Sequence, residues 1–335
     1  MRAAVVRSID RVEVVEMPVP EIGPGEILVA MRAVGLCGSD ITPWYVATKA
    51  PAVLGHETAG VVAKVGPGVV SLAEGDRVFV HHHAPCGVCP LCRKGETVMC
   101  AAWKPTRIHP GGLAELVRVE ALTVSADTLR LPDALSFEDG AMVEPVACAV
   151  KAVAKGEVRE GDTALVVGLG SNGLLLGVLA RHAGAKRLVG VDPDPARRRL
   201  SLRFGFDEAV APGGVDSASA DVVFVIPTAA EAVQAALDAA APAARVVFYS
   251  PIAPGKVWPL EPNGPYFRDL TLRFSYSCGP AETRRALALI EAGVVRAASF
   301  ITHRLPLERA QEAFRLAAQG GDVLKVLIEI GPARG

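Results

Sequence analysis

Residues 163–173 read TALVVGLGSNG, and this stretch decides the fold. A run of apolar, partly β-branched residues breaks at Gly168, passes Gly170 and Gly173, and continues into the apolar helical pattern of 172–183. A bare G-x-G-x-x-G is weak, but here a strand precedes it, a helix follows, and Asp192 ends the next apolar run, RLVGVD. That context is the one a dinucleotide pyrophosphate requires. Gly168 permits the tight turn, Gly170 lets the backbone approach the diphosphate, and Gly173 allows close helix–strand packing. Ser171 and Asn172 open the helix, whose first N–H groups face an anion, so they count with the glycines as cofactor-binding candidates. Asp192 would accept from ribose hydroxyls and repel a 2′-phosphate, which favours NAD, with NADP second. Arg197 stands just downstream as a phosphate candidate, although a solvated helix face accounts better for Arg197, Arg198 and Arg199.

Working outward, strand and helix patterns alternate from Thr163 onward: DVVFVI, a helix over 229–240, RVVFYS and LTLRFSY. Such β-α-β-α repetition predicts a doubly wound parallel sheet. The Ala/Pro-rich AAAPAAR at 239–245 reads as a helix end. Upstream, SFEDGAMVEPVACAVKAVAKG predicts one helix between a capping box at Ser136/Asp139 and Gly156. The first third is β-rich, with short alternating runs cut by Gly, Pro and acidic turns. A last helix is predicted over 281–292 and a strand in VLKVLIEI.

With 335 residues, two domains are the default expectation. Thirty-five basic against 36 acidic residues leave no footprint for nucleic acid or anionic lipid. No apolar run spans a bilayer and no leader pattern stands at the N-terminus, so a cytoplasmic protein without membrane or nucleic-acid partners is expected.

Four of the seven cysteines fall within CGVCPLCRKGETVMC. Cys86, Cys89, Cys92 and Cys100 would fill a tetrahedral Zn²⁺ completely and leave no position for substrate, which describes a structural site. An iron–sulfur cluster competes, but the C-x₃-C-P ending of a ferredoxin run is missing. Elsewhere GLCGSDITPW places Cys37 beside Ser39, Asp40 and Thr42, and LGHETAG carries His56 and Glu57. Cys37 could be a nucleophile, a metal ligand or a buried hydrophobe. Together with His56 and Glu144 it offers thiolate, imidazole and carboxylate, a set zinc accepts with one position open.

These motifs, in this order and spacing across the whole chain, resemble the zinc-containing medium-chain alcohol/polyol dehydrogenases. The resemblance implies α/β architecture: a GroES-like β-rich catalytic domain (1–145 and 290–335, with a zinc lobe near 84–102) and a Rossmann domain (146–289). It implies two zinc ions per chain, a dimer or tetramer, and an active site in the cleft. Carried over, Cys37 and His56 look like catalytic zinc ligands, with Glu57 and Glu144 sharing the remaining duty. Asp40 looks like the carboxylate that orients His56, and Ser39 like the hydroxyl that passes the proton outward. Relatives often carry histidine where Thr42 stands, so Thr42 marks a departure in the relay. His81–His83 are candidates to substitute, although plain strand-end histidines beside a loop are the favoured reading, and His109 is a similarly disfavoured candidate for a substrate-cleft residue. Cys148 and Cys278 read as buried thiols and His303 as structural. The implied activity is hydride transfer between a secondary alcohol or polyol and NAD(H). An L-threonine 3-dehydrogenase-like activity stands as the alternative. A catalytically silent dinucleotide-binding protein ranks after both.

Overall fold

Six strands pair in parallel around the glycine-rich turn in a computed structural model describing residues 1–331. Thr163–Val167 and Ala220–Val225 are central, flanked by Arg187–Val191 and Glu208–Val210 on one side. Ala240–Phe248 and Thr271–Phe274 extend the other side, so in chain order the strands run 3-2-1-4-5-6. That is the doubly wound dinucleotide-binding order, with its switch point beside the first strand. Strands covered on both faces need not alternate, and Ala164–Val167 and Leu188–Val191 are buried without interruption.

Two predicted boundaries change. AAAPAAR ends a helix only at its first residue: the helix is Ala230–Ala239, and from Ala240 onward the stretch is already strand. Ala240 pairs with Ala220, the register shifts, and Arg245 pairs with Val222. Pro242 lacks a donor and Ala243 sits at φ 63°, so the irregular start is a bulge that the alanine-rich composition hid. The single helix predicted over 136–156 is two, Phe137–Ala141 and Val143–Lys155. Pro145 cannot donate to the Ala141 carbonyl, so the helix restarts with proline in its first turn. The capping box stands: Asp139 N donates to Ser136 Oγ at 3.1 Å, and Ser136 N to Asp139 Oδ2 at 2.9 Å.

The chain divides into two compact units, Cys148–Ser277 and the remainder. The helix Pro280–Glu291 therefore goes with the β-rich unit, and the chain returns to that unit at Cys278, ahead of the expected 290. The β-rich unit holds a mostly antiparallel eight-stranded sheet and a three-stranded sheet centred on Arg2–Ser8. Its core is a continuous aliphatic cluster that includes Ile27, Met31, Val78, Val117 and Phe314. The larger sheet places Lys325–Glu329, Ile27–Gly35, Glu57–Val65 and Arg77–Val80 side by side, and that order builds the site.

Candidate active site

Register brings the donors together. Gly35 pairs with Glu57 and with Leu327, and Thr58 pairs with Val80. Cys37, His56, Lys325 and His81 therefore leave four adjacent strands at the same end. Cys37 opens a short 3-10 turn, Gly38–Ile41, in extended conformation. Gly35 is required here because a Cβ on it would lie 2.0 Å from Glu57 Oε2. Only a residue without a side chain lets the Glu57 carboxylate lie over that strand.

Donor atoms of Cys37, His56 and Glu57 all lie within 4.8 Å of one another. Asp40 is buried and turned back on this group: Cys37 N donates to its Oδ2 at 3.0 Å, and its Oδ1 is 3.6 Å from His56 Nδ1. At that distance the carboxylate is an ion-pair neighbour of Nδ1, placed to orient the imidazole toward a metal through Nε2. Burial alone would lower the His56 pKa, but Asp40, then Cys37 and Glu144, outweigh it and hold it well above its ordinary value. An imidazole so surrounded by negative charge is suited to a cation, and the set fits zinc.

Glu57 has a partner that sequence reasoning missed. Lys325 Nζ donates to both Glu57 oxygens, at 2.6 and 2.7 Å, and to the Leu36 carbonyl at 3.2 Å, all in buried surroundings. Burial pulls the Lys325 pKa down, but Glu57 and then Cys37 raise it further than burial lowers it. The signal was present in VLKVLIEI, where one lysine interrupts a buried apolar strand, because a buried ammonium requires an anion. Glu144, in the first turn of Val143–Lys155, groups with His81 and Cys278, and its charge also acts on His56 and Lys325.

Of the relay candidates, Ser39 is half-buried in the turn after Cys37. The Thr42 hydroxyl donates to the Gly38 carbonyl at 2.7 Å, an engaged position beside that turn. His109 Nε2 lies 2.7 Å from Glu120 Oε1 in a surface pair, and His303 Nδ1 3.0 Å from Thr302 Oγ1. The histidine tract is different. The His82 ring centroid is 4.9 Å from that of His56 and 4.6 Å from that of His81. Burial drives His81 down to about 3, His83 to about 4 and His82 well below the usual value, so all three are neutral near pH 7.

The four-cysteine lobe holds its sulfurs within 4.8 Å of one another, and none of the described cysteines is in a disulfide. Cys100 Sγ accepts from Cys86 N at 3.3 Å and from Ala102 N at 3.4 Å. Backbone N–H groups of Val88 and Cys89 bring the Cys86 thiol down to about 6. Amides directed at sulfur favour thiolate, the form a metal takes. Val98 and Trp103 pack around the buried Cys100, with Cys86, Cys89 and Cys92 partly buried against them.

In the second unit, Gly168 sits at φ 94°, and a Cβ on Gly173 would lie 1.8 Å from the Gly168 carbonyl oxygen. The Ser171 hydroxyl, at the start of helix Ser171–His182, is buried without a partner, as a phosphate-facing donor would be. Asn172 follows it, half-buried. Asp192 is buried at the end of its strand. Its Oδ2 accepts from Leu169 N at 2.8 Å and its Oδ1 from Asp194 N at 2.9 Å, so it braces the glycine turn. Arg197 lies 3.8 Å from Asp192, whereas Arg198 donates to the carbonyls of Asp192 and Pro193.

Comparison with known proteins finds similarity to zinc-binding dehydrogenases. The family model of the alcohol dehydrogenase GroES-like domain matches residues 23–133, and that of the zinc-binding dehydrogenase matches residues 173–292. Sorbitol dehydrogenase of Rattus norvegicus is 30% identical over 340 residues, covering 94% of this chain and 92% of its own. A probable D-xylulose reductase A of Aspergillus clavatus is 28% identical over 351 residues, covering 97% and 95%. Among solved structures, a putative zinc-binding dehydrogenase from Sinorhizobium meliloti 1021 bound to NADP is 28% identical. It superposes with a TM-score of 0.86 over 98% of each chain.

Proposed function

This chain belongs to the zinc-containing medium-chain polyol dehydrogenases, and on that premise we propose how its own residues divide the work of a zinc-dependent oxidoreductase acting on polyols with a nicotinamide cofactor. The observation that carries the reading is the Cys37–His56–Glu57 donor group with Asp40 behind the imidazole. Cys37 and His56 hold the catalytic zinc, and Glu57 and Glu144 share the third ligand duty. A zinc ion held there would supply Lewis acidity toward a substrate hydroxyl or carbonyl, and a bound nicotinamide would supply the hydride chemistry. Asp40 keeps the His56 tautomer and ring plane fixed. Lys325 neutralises Glu57 and holds it against the strand until a cation competes for it. Ser39 takes the substrate hydroxyl proton. With the Thr42 hydroxyl committed to Gly38, the proton would leave Ser39 without passing through a side chain at that position.

Cys86, Cys89, Cys92 and Cys100 hold a second, structural zinc. In the dinucleotide unit, Gly168, Gly170, Ser171, Asn172 and Gly173 receive the diphosphate, and Asp192 the adenosine ribose. NAD is the preferred form. Asp192 ends the second strand, and Arg198 is already committed to carbonyl groups, leaving Arg197 as the one arginine beside the acid. Phe274 and Tyr276 are exposed at the open edge strand of this unit, with Tyr266 and Phe267 nearby in sequence, which suits a homodimer or tetramer. No helix among the described residues is long and apolar enough to cross a membrane, and the cytoplasm is the proposed location.

A dehydrogenase screen over polyols, sugar acids, simple secondary alcohols and L-threonine, with both cofactors, tests this reading. Turnover is expected with a polyol and NAD, with two zinc ions per isolated chain by elemental analysis. Preference for L-threonine would transfer the assignment to amino-alcohol oxidation. Tighter NADP binding would mean that Arg197 outweighs Asp192.

A further inference from the structure

The histidine tract and Cys278, given no part in the reaction above, meet in the interior. His81 and Cys278 are fully buried and Glu144 is 5% exposed; one donor atom from each lies within 4.8 Å of the others. Nitrogen, oxygen and sulfur donors at that spacing are a zinc-class set. The tautomer of His81 is also the ligating one. Its Nδ1 is 2.7 Å from the His83 carbonyl oxygen, which can only accept, and 3.3 Å from the His83 N–H, so the shorter contact places the proton on Nδ1. Nε2 then presents a bare lone pair, 3.5 Å from Cys278 Sγ. A metal-ligating histidine donates its other ring N–H to a carbonyl or carboxylate in just this way. Asp127 Oδ2 stands 3.8 Å behind the same Nδ1, held on its other oxygen by the Thr283 hydroxyl at 2.5 Å. A second observation is independent of the trio. His82 lies between His81 and His56, and its Nδ1 is buried with no hydrogen-bond partner.

We infer that His81 Nε2, the Glu144 carboxylate and Cys278 Sγ form a further binding position for a thiophilic divalent cation, one histidine ring away from the Cys37–His56 donors. Binding there exchanges the Cys278 thiol proton for the cation and releases that proton to solvent, so no oxidant or reductant is involved. Glu144 is the carboxylate within reach of both neighbourhoods, since its charge also acts on His56. The tract and the thiol thus make a place where a cation can rest beside the catalytic position, whatever the substrate is.

The test uses Cd²⁺ on the intact chain, counted by elemental analysis and by thiolate-to-cadmium absorption. The wild type is expected to fill three positions. Cys37→Ser should fill two, the four-cysteine lobe and the His81 position. Cys37→Ser/Cys278→Ser should fill one, and its absorption should fall by about a fifth, one Cd–S bond of five. His81→Gln in the Cys37→Ser background should also fill one, which provides a second route if the serine variant misfolds by circular dichroism. Cys148→Ser should leave every count unchanged. A Cys37→Ser chain that fills only the lobe overturns the proposal, as does a double variant that still fills two. Failure of the catalytic-zinc reading looks different: wild type and Cys37→Ser would then bind equal numbers of ions.

Discussion

The four-cysteine lobe and the Cys37 cluster offer two ways of gathering metal donors. The lobe takes all four sulfurs from the fifteen residues 86–100, and its local backbone already directs amides at them. The Cys37 cluster takes its donors from residues 37–57, which leave two neighbouring strands and meet by register rather than within one loop, and only their partner Lys325 comes from far along the chain. Four thiolates close a coordination shell, whereas thiolate, imidazole and carboxylate leave one position for chemistry. A local site is thus suited to holding a fold, and an assembled one to acting on a substrate.

Exchanging the two losses breaks this comparison most sharply. Cys37→Ser or His56→Gln should lower kcat by on the order of 10³-fold or more, as expected when several kcal/mol of Lewis-acid stabilisation is lost. The lobe's zinc and the melting temperature should stay nearly unchanged. Cys100→Ser should do the reverse, losing one zinc and lowering the melting temperature while cofactor titration remains normal. Equal effects of the two variants on stability would mean that the sites are not divided in this way.

Next in size is Lys325→Met, which leaves Glu57 as an unpaired buried carboxylate. Denaturant unfolding should show a loss of about 3–5 kcal/mol. The double variant Glu57→Gln/Lys325→Met should recover most of it, and no recovery would show that the lysine acts elsewhere. Asp40→Asn should weaken the catalytic metal by about 10- to 100-fold in chelator competition, with the lobe's ion unmoved. The smallest effect belongs to the second unit. Gly173→Ala forces the Gly168 carbonyl away and should weaken dinucleotide binding by roughly tenfold, read by nicotinamide fluorescence, with both metals retained. An unaffected affinity would mean that the turn has room to shift.

Much of this was legible in order. The glycine spacing at 168–173 and the alternation after it led directly to the 3-2-1-4-5-6 sheet, because each strand–helix repeat there is a local pattern. AAAPAAR misled because a bulged strand entrance and a helix end share small residues and proline. The helix break before Pro145 was readable from the proline alone, but the apolar periodicity continues through it. Lys325 was visible as a charge in an apolar strand, yet nothing in its neighbourhood names Glu57. The histidine tract was noticed, and its direction was not: which imidazole meets Cys278 depends on where the strand Arg77–Val80 ends against its neighbours.

By itself the sequence determined what depends on near neighbours: the lobe's donor set, the glycine turn with its helix, the Asp139–Ser136 cap, and the family these motifs mark. Tertiary structure alone decided which acid meets which cation, and that Glu57 lies under Lys325 while Glu144 joins His81 and Cys278. The reason is physical. Spacing of a few residues fixes distances through covalent geometry, but donors from separate strands meet only through sheet register, where a one-residue slip turns a side chain to the other face.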